Sequence, residues 1–87
     1  MKTIWKYQLE TTDWQSLEMP QGARVIHVAL QRGVICLWAT VDSEAPDVRR
    51  QFVVIGTGNP IPEKDGELMY LGSVHDGPFV WHVCEVV

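Results

Sequence analysis

The stretch Val53-Val54-Ile55-Gly56-Thr57-Gly58-Asn59-Pro60-Ile61-Pro62 decides between two fold classes. A β-branched run that meets Gly-x-Gly is how a phosphate-binding loop begins. In a P-loop or dinucleotide fold the glycines let the backbone approach the anion, and a following helix points its amides at it. Pro60 and Pro62 stand where that helix would have to run, and proline removes a backbone donor and clashes with the preceding turn. The run therefore reads as a strand ending in a loop, and the nucleotide-dependent α/β enzyme is set aside. A weaker binding reading survives. Glycines at a strand end can form an amide nest, Thr57 and Asn59 offer polar side chains, and Arg49 or Arg50 can reach for an anion. Arg49, Arg50, Gly56, Thr57, Gly58 and Asn59 are the candidate ligand-binding residues; the plainer reading of the same glycines and prolines is a tight turn.

Outward from this run, the rest of the chain carries the period of two that marks half-buried strands. Trp5, Tyr7 and Leu9 alternate with Lys6 and Gln8, which gives a strand over 3–9. A short second strand over 16–19 stops at Pro20-Gln21-Gly22, although Trp14-Gln15-Ser16-Leu17 can also form a helical turn capped by Asp13. Residues 23–30 and 34–41 flank Gln31-Arg32-Gly33 and read as a hairpin, with Ile26, Val28 and Leu30 on one side of the first strand and Val25, His27 and Ala29 on the other. A fifth strand covers 49–55, after an acidic loop over 42–47. The segment 57–67, with Gly58, Pro60, Pro62 and Gly66, is the longest loop. Residues 69–74 and 79–86 flank His75-Asp76-Gly77-Pro78 and close the chain as a second hairpin. The reading is an all-β fold: a compact single-domain β-sandwich or small barrel of about seven short strands over residues 1–87. Ile26, Val28, Leu37, Val53, Val83 and one or both of Trp38 and Trp81 are its expected core.

At 87 residues the chain supports one core. With 46% hydrophobic and 21% charged residues it matches neither a disordered nor a membrane class. No apolar run approaches the ~20 residues that span a bilayer, and Lys2 and Lys6 break up the opening segment as a leader. A soluble, cytosolic protein is expected. The formal net charge of -4, with seven scattered Lys and Arg, points away from nucleic acid, whose recognition rests on clustered cations. Cys36 and Cys84 sit in apolar strand contexts without CxxC spacing and read as free core thiols.

His82 and Cys84 share a strand face at i and i+2, a spacing that can supply two metal ligands, but no further ligands present themselves, so no metal or other cofactor is expected. Ser73, His75 and Asp76 lack a nucleophile-elbow context, and no catalytic residue is assigned. Of the four tryptophans, Trp5 and Trp14 lie in polar surroundings and are the candidate interaction surface.

Several motifs coincide in order: MKTIWKY at 1–7, MPQGA at 19–23, CLWATVD at 36–42, GTGNPIP at 56–62, YLGSV at 70–74 and FVWHVCEV at 79–86. Together they resemble a family of small proteins encoded by tailed phages and prophages, nearly end to end. The resemblance implies a phage origin and a bacterial host cytoplasm, and it carries no catalytic residue.

Two functions follow as expectations. The first is a non-enzymatic binder, a homo-oligomer that sequesters a small anionic, nucleotide-like host signal in a pocket between subunits. The second is a protein-interaction module that blocks a host protein or serves phage assembly through a strand edge or tryptophan patch. On the first reading Arg50→Ala and Thr57→Ala weaken binding without changing the melting temperature.

Overall fold

The computed structural model describes residues 1–62 and 66–87. It is all-β: β1 (Lys2–Leu9), β2 (Gln15–Pro20), β3 (Arg24–Gln31), β4 (Val34–Asp42), β5 (Asp47–Gly56), β6 (Leu68–Asp76) and β7 (Phe79–Val86). Two antiparallel sheets form, one ordered β1-β4-β3 and the other β2-β5-β7-β6. No helix among the described residues is long and apolar enough to cross a membrane.

Alternation determines which side chains fill the space between the sheets. Opposed residues of an antiparallel pair share a face, so Leu9, Tyr7 and Trp5 point the same way as Ile35, Leu37 and Ala39. From the second sheet come Met19, Phe52, Val54 and Val83, and these with Leu37 are almost wholly removed from water. Truncating one such residue costs about 2–5 kcal/mol through lost transfer energy and the cavity left behind. Residues 15–20 are a strand and not the helical turn that Asp13 could have capped; Pro20 is tolerated because β2 is an edge with β5 as its paired neighbour.

Both hairpins read from the sequence form. The β3–β4 loop is Arg32-Gly33, with φ of 52° and 77°. Two consecutive positive φ values are what a type I′ turn requires. In the β6–β7 loop Gly77 takes φ 58° and Pro78 follows; because proline fixes φ negative, the turn belongs to the II′ class.

Two expectations about the core are corrected. Ile26 is 50% exposed. A bulge between Val25 and His27 opposes His27 to Trp38 and Val25 to Ala39, so Val25 joins Val28 and Leu30 against the core while Ile26 turns out. Neither Trp38 nor Trp81 is fully buried: Trp81 packs against the core cluster, whereas Trp38 lies on the outer face of its sheet beside His27, ring centroids 5.5 Å apart.

β3 and β6 meet along a seam between the two sheets without being paired to each other. Gly72 lies there against Val28, and a second bulge between Tyr70 and Gly72 carries Leu71.

Candidate functional site

On β7 the side chains of Trp81, Val83 and Glu85 point between the sheets, which leaves His82 and Cys84 on the outer face of the four-stranded sheet. Val53 and Ile55 of β5 and Tyr70 of β6 share that outer face by register. The chain leaving β5 folds back over it, and a cleft of about 410 Å³ opens between the loop and the sheet. Ile55, Ile61 and Leu68 make its apolar walls, with Gly56, Thr57, Gly58, Asn59, Tyr70, His82 and Cys84 completing it.

The loop begins as a turn. The Asn59 amide donates to the Gly56 carbonyl at 2.9 Å, and Gly58 at the third position has φ 89°, as a type II turn demands. The Thr57 amide donates to the Val80 carbonyl at 3.1 Å and so fixes the turn to β7. Two amides of the imagined anion nest are therefore engaged within the protein. Gly56 is favoured for another reason: a Cβ there would lie 2.7 Å from the side-chain Nδ2 of Asn59 and 3.1 Å from the Trp81 ring.

A chain of polar side chains crosses the cleft. Thr57 Oγ1 is 2.6 Å from His82 Nε2, and His82 Nδ1 is 2.6 Å from the Tyr70 hydroxyl. In either neutral tautomer one ring nitrogen donates and the other accepts, and the two hydroxyls rotate to match. The imidazole is thereby held at both ends, with the Tyr70 and His82 rings 5.7 Å apart. Cys84 is 5% exposed, and burial pushes its thiol above the ordinary cysteine range. A neutral thiol is a poor nucleophile and a poor metal ligand. No group of three or more potential metal ligands occurs among the described residues.

The sequence-derived candidates divide. Gly56, Thr57, Gly58 and Asn59 line the cleft. Arg49 and Arg50 lie six or seven residues back along β5, about 20 Å away at ~3.3 Å per residue. Arg49 pairs with Glu18 at 3.3 Å on the surface. Arg50 grips Glu85 with a fork of hydrogen bonds, Nε to Oε2 at 2.6 Å and Nη2 to Oε1 at 2.7 Å, and its Nη1 donates to the Ala23 carbonyl. The structure thus does not bring either arginine to the loop; one strand end supplies the turn and the other a structural ion pair. Trp5 is 40% exposed at the β1 edge, and Trp14 is half-buried just before β2. Tyr70 and His82 were missed as partners of Thr57. The available signal was the shared outward parity of His82 and Cys84, which pointed to the right strand face.

The family model of a domain of unknown function, DUF7352, matches residues 1–87, and the chain belongs to that family. No curated protein and no solved structure matches it.

Proposed function

We propose that the protein binds a small, planar, nucleotide-like ligand without transforming it, and that the cleft beneath the loop after β5 receives the flat part of that ligand. The observation that carries this reading is the pairing of apolar walls at Ile55, Ile61 and Leu68 with an imidazole fixed between Thr57 and Tyr70. Binding sites of this size combine an apolar lining with a few pre-positioned polar groups, which supply orientation and specificity. The half-exposed Tyr70 ring offers a surface on which a heterocycle can stack. The resemblance to tailed-phage proteins extends the proposal to biology: sequestration of an anionic host signal in the bacterial cytoplasm, by a homo-oligomer. Self-association is supported by β1 and β2, each an outer strand with a single paired neighbour.

A second reading, a protein-interaction module, is favoured by the outer face of the three-stranded sheet, where Ile4 is 54% and Ile26 50% exposed near the Trp38–His27 pair. One experiment separates the two. The purified protein is incubated with a whole bacterial lysate and washed; one half is heated and the released small molecules are identified by mass spectrometry, and the other half is assayed for retained host proteins. A nucleotide released intact from the wild type and absent from Tyr70→Ala supports capture. Chemically altered products refute the non-enzymatic reading, and loss of the nucleotide with retention of a host protein supports the module.

A further inference from the structure

The three-stranded sheet carries a charge opposite in sign to that of the whole chain. Lys2, Lys6 and Arg24 point to its outer face, because each is opposed in the register to an outward-facing residue, Asp42, Trp38 and Thr40 respectively. All three cations are exposed, and none has an ion-pair partner among the described residues. Lys6 donates across the outside of β4 to Gln31 Oε1 at 2.6 Å, a neutral group that leaves its charge uncompensated. Asp42 is the only carboxylate in β1, β3 and β4, and it already lies 3.4 Å from the N-terminal ammonium. Among these cations stand two rings, the exposed His27 and the half-buried Trp38, and the exposed Ile4 and Ile26 occupy the two flanking strands. A shallow depression of about 530 Å³, lined by Lys2, Thr3, Ile4 and Thr40, opens on the β1 side.

Uncompensated cations call for a polyanion. An anionic lipid surface needs a contiguous apolar face, whereas here β4, with Thr40, separates the two isoleucines. Duplex DNA admits a helix or a two-stranded ribbon into its major groove, not the face of a three-stranded sheet. A single strand fits both features that are present, since its bases stack on exposed rings and its phosphates follow cations spread over the surface. Lys2 and Lys6 are ~13 Å apart along β1 at ~3.3 Å per residue, and Arg24 lies two strands away, so phosphates can be met on both sides of a stacked base. We propose that the outer face of the three-stranded sheet binds single-stranded nucleic acid, with bases stacked on Trp38 and His27 and phosphates held by Lys2, Lys6 and Arg24. This site is on a different sheet from the cleft and is independent of it. The formal net charge of -4 pointed away from nucleic acid because it averages over faces that strand pairing makes unlike.

Fluorescence anisotropy with labelled oligodeoxythymidylate and oligouridylate of about 12 nucleotides tests the proposal. The wild type is expected to bind at least one of them, with log K falling against log salt at a slope of about -2, roughly 0.7 for each of three neutralised phosphates. The triple variant Lys2→Gln, Lys6→Gln, Arg24→Gln should bind about tenfold more weakly or worse, with a slope near zero and an unchanged melting temperature. Trp38→Ala should weaken binding about five- to hundredfold at an unchanged slope, the worth of one stacked base. Because Trp38 is half-buried, the exposed His27→Ala is measured beside it and should act in the same direction. Binding of neither oligomer at about 50 mM salt overturns the proposal, as does binding that the triple variant or both ring variants leave unweakened. Displacement of the oligomer by polyglutamate as readily as by unlabelled oligomer would mean a site for acidic proteins. Retention on phosphatidylglycerol vesicles without oligomer binding would mean a lipid surface, and either result also overturns it.

Discussion

The ring of Trp81 stands 3.1 Å from where a Cβ on Gly56 would lie, so the cross-strand partner of this tryptophan is a residue with no side chain to displace it. The two glycines of the Gly-Thr-Gly run are therefore needed for different reasons, one for space and the other for its φ of 89°. Gly56→Ala should destabilise by about 1–3 kcal/mol through overpacking against Trp81. Gly58→Ala, with open space around it, should cost about 1–2 kcal/mol through the left-handed backbone alone, and Gly58→Asn less. Urea midpoints at unchanged slope measure all three; equal tolerance of Gly58→Ala and Gly58→Asn would refute the backbone account.

Most of the strand content was legible because it is local. Alternation and turn chemistry set seven strands and both hairpins, and each observed boundary falls within two residues of its expected place. Long-range relationships were not legible. Arg50 reaches a partner 35 positions away, and Thr57 reaches His82 25 positions away, distances over which no periodicity operates. A single bulge also defeated the assignment of faces, because one inserted residue inverts the parity on which that assignment depends.

That inversion gives a contrast within one strand. Ile26→Ala should change stability by less than about 0.5 kcal/mol, the range of surface substitutions. Val28→Ala, which removes two methyl groups packed against the core at the seam, should cost about 1–2 kcal/mol. Thermal unfolding of the pair decides it, and a larger loss for Ile26→Ala would place the bulge elsewhere.

Tyr7 carries a buried hydroxyl with no hydrogen-bond partner among the described residues. Burial raises its pKa above the usual phenol value, Asp47 adds to the rise and Arg50 opposes it. With the folded pKa above the unfolded one, the neutral phenol favours the fold; that contribution is complete below about pH 10 and is lost as pH rises through the folded value. Tyr7→Phe should therefore match or exceed wild-type stability by about 1 kcal/mol at pH 7 and lessen the alkaline loss. A clear loss at pH 7 would mean that the hydroxyl is satisfied in solution.

Cys84 lines the cleft yet is 5% exposed, and its raised pKa keeps it a thiol at pH 8. Both Cys84 and the buried Cys36 should react with a disulfide reagent far more slowly in native buffer than in urea. Rapid modification of one equivalent in native buffer would show that the loop opens readily above Cys84, and the Cys84→Ser variant identifies which thiol reacted.

Arg50 and Glu85 are diagonal neighbours on paired strands, and both point between the sheets, with side-chain exposures of 19% and 6%. A charge removed from water in this way is tolerated because the fork of Arg50 satisfies both carboxylate oxygens and its remaining nitrogen binds the Ala23 carbonyl at the start of the seam. Arg50→Ala abandons Glu85 without compensation and should cost about 3–5 kcal/mol, a large part of the 5–15 kcal/mol total typical of a domain. This reverses the sequence expectation that the substitution leaves melting unchanged. Removing both charges with Arg50→Met and Glu85→Leu should recover most of the loss, because two apolar side chains of similar volume carry no desolvation penalty. Urea unfolding of the two single variants and the double variant completes the cycle. A coupling energy near zero would mean that each side chain finds water in solution, and that the β3–β6 seam is open there.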